Sequence, residues 1–118
     1  VDCLFCRMVA GDVPATVVHE TDRTLAFRDI NPQAPTHVLV IPKAHHPTVA
    51  TLASDDPDLL GAVIRAARQV AVQEGLATED GVEPGYRLVT NTGPAAGQTV
   101  HHVHLHLLGG RDLGWPPG

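Results

Sequence analysis

His102-Val103-His104-Leu105-His106-Leu107-Leu108 sets the reading of this chain. Three histidines alternate with apolar residues, which is the two-residue period of a β-strand and not the period of a helix. On a strand, Val103, Leu105 and Leu107 point into a core while the three imidazoles project from the opposite face. Neighbouring rings then sit ~7 Å apart and the outer two ~13–14 Å apart. A row of imidazoles on a rigid element is more than packing requires.

The chain leading into this stretch is a loop of small residues, Asn91-Thr92-Gly93-Pro94-Ala95-Ala96-Gly97-Gln98-Thr99. Small residues let main-chain N–H groups approach an anion, and Gln98 and Thr99 add side-chain donors. Tyr86 to Asn91 reads as a strand before it. Further back, Ser54 to Glu74 reads as the one long helix. Asp56 serves as its N-cap, Pro57 stands in its first turn and Gly75 ends it. Its apolar stripe from Leu59 to Ala71 predicts that it covers a sheet. His37-Val38-Leu39-Val40-Ile41-Pro42 is a near-continuous apolar run, as in a strand buried on both faces. Thr16 to Glu20 and Arg23 to Arg28 read as two short strands joined by a tight turn. A proline-punctuated loop, Asp29-Ile30-Asn31-Pro32-Gln33-Ala34-Pro35, follows them and presents Asp29 rigidly. Taken singly, Asp29 reads as a loop cap and His37 as a hydrogen-bonded strand end.

At the N-terminus, Cys3-Leu4-Phe5-Cys6 is compatible with half a zinc site, a redox pair or a simple turn. The short helical stretch that follows, ending at Gly11, lacks the βαβ context of a thioredoxin-like redox motif. The spacing leaves metal and plain structure open.

The 118 residues suit one domain spanning residues 1–118 with a single core. Two cysteines do not make a disulfide scaffold, no secretory apolar segment is visible, and a cytoplasmic protein is expected. Numbering from Val1 suggests an omitted initiator segment. No apolar run approaches the ~20 residues of a membrane span. A formal charge of −5 argues against binding a nucleic-acid backbone, whereas the eight histidines stand out. Three uses compete for the histidine row: chelation of a metal, nucleophilic attack on phosphorus with proton handling by its neighbours, or a solvated structural face.

The pattern His-φ-His-φ-His-φ-φ resembles the histidine triad proteins. So do Phe27 to Ile30, Pro35-Thr36-His37, Val40-Ile41-Pro42-Lys43, Asn91, Gly97-Gln98-Thr99, Gly109-Gly110-Arg111 and Trp115-Pro116-Pro117-Gly118. Within that family the match is to the HINT branch and runs nearly the full chain. The resemblance implies an α+β fold, an antiparallel sheet of about five strands carrying one long helix. It also implies a homodimer that continues the sheet, with the 109–118 tail carrying Trp115 toward the nucleotide site of the partner subunit.

Function follows from the same resemblance. His104 is expected to attack the α-phosphorus of a purine nucleoside phosphoramidate or acyl-nucleotide, giving a nucleotidyl-histidine that water hydrolyses to a nucleoside monophosphate. His102 and His106 orient that ring and the phosphate, and His37 joins a proton relay. Asn91, Gly97, Gln98 and Thr99 hold phosphate and ribose, Asp29 takes the ribose hydroxyls, and Phe27 and Ile30 line the base pocket. Thr99 stands where eukaryotic members have serine, keeping the hydroxyl on a side chain stiffer at χ1. Cys3 and Cys6, shared with bacterial relatives, imply a structural zinc completed by His45 and His102, with His46, His19 and His101 as rival ligands. Two alternatives are a dinucleoside polyphosphate hydrolase of the Fhit branch, against which His106 stands in place of a glutamine, and a nucleotide-binding module without turnover.

Overall fold

In a computed structural model that describes residues 3–118, five strands form one antiparallel sheet in the order β1-β2-β3-β5-β4. The strands are β1 (Val17–Glu20), β2 (Thr24–Arg28), β3 (Thr36–Pro42), β4 (Tyr86–Val89) and β5 (Leu105–Gly109). Three helices complete the α+β fold: α1 (Leu4–Val9), α2 (Val49–Asp55) and α3 (Pro57–Gln73). Among the described residues no helix is long and apolar enough to cross a membrane.

Strand β3 lies between β2 and β5, and both sheet faces are covered at its position, which is why its sequence is apolar without alternation. Val38 and Val40 join Ala26, Leu105 and Leu107 under the apolar stripe of α3, from Val63 to Ala71. Leu39 and Ile41 face the other way, with Leu25 and Phe27, against Phe5 and Cys3 at the start of the chain. His37 and His106 occupy this second face. Cross-strand register pairs Leu39 with His106 and His37 with Leu108, so His37 and His106 are diagonal neighbours on one side of the sheet.

Three expectations need correction. The histidine stretch is not a strand throughout, because β5 starts only at Leu105. His102, Val103 and His104 precede it, with the Val103 N–H held by the carbonyl of His46, a loop residue, at 2.7 Å. The sheet register therefore carries one histidine of the three. The expected Ser54–Glu74 helix is two helices that break at Asp56, whose φ of −151° and ψ of 74° are not helical. Pro57 disfavours a helical residue before it, and the Asp56 carboxylate accepts the Leu59 N–H at 3.1 Å to start α3 afresh. Helix α2 begins with a capping box between Thr48 and Thr51. Third, β4 stops at Val89, short of Asn91. Gly75 ends α3 as expected, at a φ of +75° that favours glycine.

Asp56 also meets Arg23 at 2.8 Å across an exposed gap. Asp56→Ala should lower stability by about 1 kcal/mol, chiefly through the lost cap. Leu107→Ala, at a fully buried position, should cost ~2–5 kcal/mol. Urea denaturation monitored by circular dichroism measures both, and equal losses would contradict this division between cap and core.

Candidate active site and metal centre

His104 is buried just ahead of β5. Its main chain is held by the Thr90 hydroxyl, which donates to the His104 carbonyl at 3.0 Å. Its ring meets Phe5 edge to face, with centroids 5.2 Å apart, and the His106 ring at 5.0 Å. Nδ1 of His104 lies 2.8 Å from the carbonyl oxygen of His102. A carbonyl only accepts, so Nδ1 carries the proton and Nε2 of the neutral ring keeps its lone pair. An imidazole held in that tautomer can act as a nucleophile without first losing a proton.

His37 and His106 form a second pair, Nε2 to Nδ1 at 2.9 Å. The main-chain N–H of Gln33 donates to Nδ1 of His37 at 3.0 Å. One carboxylate oxygen of Asp29 lies 3.5 Å from His37 Nε2, and the other accepts the Asn31 N–H at 2.8 Å. Burial holds the His106 imidazole down at about 4 from an ordinary 6.5, reinforced by His104 and His37 and opposed by Asp29. His106 is therefore neutral at physiological pH.

The third centre joins the two ends of the molecule. Cys3 is the N-cap of α1, its sulfur accepting the Cys6 N–H at 3.4 Å. Cys3 Sγ to His102 Nδ1 is 3.4 Å, Cys6 Sγ to His45 Nδ1 is 3.4 Å and Cys6 Sγ to His102 Nδ1 is 3.6 Å. The two Nδ1 atoms are 3.2 Å apart. Zinc bonds of ~2.3 Å to sulfur and ~2.0–2.1 Å to nitrogen at a tetrahedral angle separate the donors by ~3.6 Å. His102 Nε2 donates to the Pro42 carbonyl at 2.8 Å, leaving Nδ1 bare and aimed at the cluster, as a ligating imidazole requires. Two thiols and two imidazoles at these separations fit a structural zinc site. Burial lowers the affinity of His102 for a proton, with the nearby His45, His104 and His46 adding to the effect. Burial also pushes the Cys6 thiol up, with its hydrogen bond to Cys3 adding to it.

His45 is thus the fourth member of the set expected from the sequence, all four donors lying within 4.8 Å of one another. Among the rivals, His19 is on β1 and bonded to Gln69, and neither His46 nor His101 joins the cluster. Asp29, His37 and His106 also converge within that distance. There the Gln33 N–H occupies His37 Nδ1, putting the proton on the very nitrogen that would ligate. This second group is a hydrogen-bond network.

Beside the histidines, Phe27, Asp29 and Ile30 line a cleft of about 110 Å³ with Leu4, Phe5 and Leu39. Phe27 is buried against Phe5, while Ile30 is fully exposed at the rim. The small-residue loop contains a 3-10 turn, Pro94–Ala96, closed by Gly97 at a φ of +85°. Gln98 is buried and its side chain braces the loop. It accepts the Gly93 N–H at 2.9 Å and donates to the Pro47 and Val100 carbonyls at 2.7 and 3.2 Å. The N–H groups of Gly97 and Gln98 also bond within the loop, to Pro94 and Gly93. Gln98 thus shapes this loop, and exposed Thr99 lies at its end. Asn91 is half-buried just past β4, and Trp115 is 82% exposed on the tail. Phe5, Gln33 and Thr90 were not singled out from the sequence, because what they offer the site is a ring inside a CxxC spacer, a peptide N–H and a generic hydroxyl.

A family model described as the HIT domain matches residues 10–113. A 14 kDa zinc-binding protein of Zea mays is 46% identical over 117 residues, covering 98% of this chain and 87% of the relative. The purine nucleoside phosphoramidase of Escherichia coli is 44% identical over 113 residues, covering 96% of this chain and 91% of that enzyme. The crystal structure of a HIT family hydrolase from Legionella pneumophila superposes with a TM-score of 0.91 at 52% identity, covering 99% of this chain and all of that one.

The neutral state of His106 has a measurable consequence. Its folded-state value lies below the unfolded one, so its contribution to stability is complete above pH 6.5 and is lost as pH falls toward about 4. An NMR titration of the His106 ring should give a midpoint near 4. A midpoint at the ordinary 6.5 would show that burial does not govern this ring.

Proposed function

The chain belongs to the HIT domain family, HINT branch, and from that premise we propose that it hydrolyses purine nucleoside phosphoramidates or acyl-nucleotides through a covalent nucleotidyl-histidine. The observation that carries this reading is the bare Nε2 of His104, fixed by the Nδ1–H bond to the His102 carbonyl.

His104 Nε2 attacks the α-phosphorus. A nitrogen–phosphorus bond forms and the bond from phosphorus to the leaving amine or carboxylate breaks, a leaving amine taking up a proton from solvent as it departs. Water then attacks the same phosphorus, returning the electron pair to Nε2 and releasing the nucleoside monophosphate. Splitting the transfer into two displacements suits an imidazole, which is both a competent nucleophile and a good leaving group once attached to phosphorus. His106 offers its Nε2–H to a phosphate oxygen, a fixed dipole where charge shifts during transfer. Asp29 accepts ribose hydroxyls and Phe27 and Ile30 border the base, which accords with their placement around the cleft. Asn91, Gly97 and Thr99 approach the phosphate and ribose, and Gln98 holds their loop.

Zinc is the proposed occupant of the Cys3, Cys6, His45 and His102 donors, supported by their spacing and by the maize relative's name. Bound there it supplies structure only, tying α1 to the residue next but one to the nucleophile. A homodimer, with the Trp115 tail against the partner subunit, gives this exposed ring the apolar surface it lacks in one chain.

Incubation with a purine nucleoside phosphoramidate should label wild-type protein transiently with one nucleotide. His104→Ala should abolish the label and lower turnover by at least about 10³-fold. A label that survives the substitution would refute the proposed nucleophile. Elemental analysis should find about one zinc per chain, the stoichiometry of a four-donor site. Cys3→Ser/Cys6→Ser should lose the metal and melt at lower temperature. A metal-free wild type of undiminished stability would remove zinc from the description.

A further inference from the structure

We propose that the main-chain N–H of Gln33 sets the direction of the His37–His106 hydrogen bond, so that His37 is a fixed donor and not a stage in a proton relay. The resemblance noted from the sequence implied a relay. The geometry points elsewhere.

A peptide N–H can only donate, and it does not titrate near neutral pH. At 3.0 Å from His37 Nδ1 it requires a lone pair there, which places the His37 proton on Nε2. A doubly protonated His37 would set two N–H groups against each other at that distance. His37 Nε2–H therefore donates to His106 Nδ1 at 2.9 Å, and the His106 proton must sit on Nε2. The reverse direction would require a His37 with no proton at all. The same constraint stops transport. Passing the Nε2 proton to His106 would leave His37 as an imidazolate, and Nδ1 offers no route for its replacement while Gln33 faces it. The Asp29 carboxylate, 3.5 Å from Nε2, sets negative charge beside that N–H and further disfavours loss of its proton.

Gln33 is itself held from several sides. Arg111 donates to the Gln33 carbonyl at 3.1 Å, and the Gln33 amide donates to the Asn31 carbonyl at 3.0 Å. The Asn31 N–H is in turn fixed on Asp29 at 2.8 Å. Pro32 and Pro35 limit the remaining freedom of the loop. Gln33 is thus a positioning residue, acting through its peptide to present His106 Nε2–H as a donor. The bond direction itself is independent of the function proposed above. Only the use of that donor toward a phosphate rests on it.

Imidazole tautomers are read directly from long-range nitrogen–proton correlation spectra of uniformly ¹⁵N-labelled protein. At neutral pH, wild-type protein as purified should show His37 and His106 both as the Nε2–H tautomer. Finding His37 as the Nδ1–H form, doubly protonated, or averaged between tautomers would overturn the proposal, with no variant needed. Gln33→Ala keeps the N–H and should leave both tautomers in place, whereas a change there would assign the effect to the side chain and refute the peptide's role. Gln33→Pro removes the N–H. It should release His37 into a tautomer mixture and slow nucleotide labelling roughly 10- to 100-fold, the scale for losing an outer hydrogen-bond partner. A folded Gln33→Pro with unchanged His37 signals would also overturn it. Absence of labelling in wild-type protein with both rings as expected would count against the hydrolase reading and leave this one standing.

Discussion

The hydrogen bond from His104 Nδ1 to the His102 carbonyl is the contact on which the site depends. It joins two centres through one residue. The His102 ring faces two thiols and His45 with one nitrogen and the Pro42 carbonyl with the other, while its main chain fixes the tautomer of His104. Phe5 reinforces the connection from the side, its ring packing edge-on against both His102 and His104. Whatever immobilises the side chain of His102 therefore also steadies the acceptor that orients His104. A metal bound there needs no role in chemistry to matter for it.

The sheet makes this economy possible. Because β3 is central, its two faces carry different tasks: Val38 and Val40 pack under α3, while His37, Leu39 and Ile41 face the N-terminal segment and the other histidines. The α3 face is closely packed and rigid, and it supports the opposite face, where polar groups must be held to within tenths of an ångström. The N-terminal helix is short and would be marginal alone. Phe5 and the two cysteines bind it into the second core cluster.

Much of this was legible in the residues. Alternation around Leu105 and Leu107, the apolar run from Val38 to Ile41 and the stripe on α3 gave strands, a central strand and a covering helix, because side-chain period reports burial directly. The zinc donor set was reached through resemblance, since Cys3 and Cys6 alone left the metal open. The row of three rings on one strand was misread for a definable reason. Period two persists in any extended chain, whether its partner is a sheet neighbour or a loop carbonyl, so His102 and His104 look like strand residues while lying outside β5. Gln98 reads as a side-chain donor for a ligand, yet its amide is taken up by main-chain groups of Gly93, Pro47 and Val100. Which of two available partners a polar group takes is decided by tertiary geometry, and periodicity carries no record of it.

One feature of the site could not be written in side chains at all. Each of three imidazoles has its tautomer chosen by a main-chain group: His102 by the Pro42 carbonyl, His104 by the His102 carbonyl and His37 by the Gln33 N–H. In the serine-protease arrangement a carboxylate does this work and adds a full negative charge beside the imidazole. A peptide dipole orients the ring with no net charge. For a reaction centre that receives a phosphate already bearing negative charge, that difference has consequences. A carboxylate next to His104 would repel the incoming anion in a buried, weakly screened setting. It would also favour the protonated ring, which has no lone pair to attack with. The carboxylate of Asp29 is placed instead beside His37. Orientation by the backbone thus adds no charge of its own beside the rings, and it leaves Nε2 of His104 with its lone pair toward the incoming phosphorus.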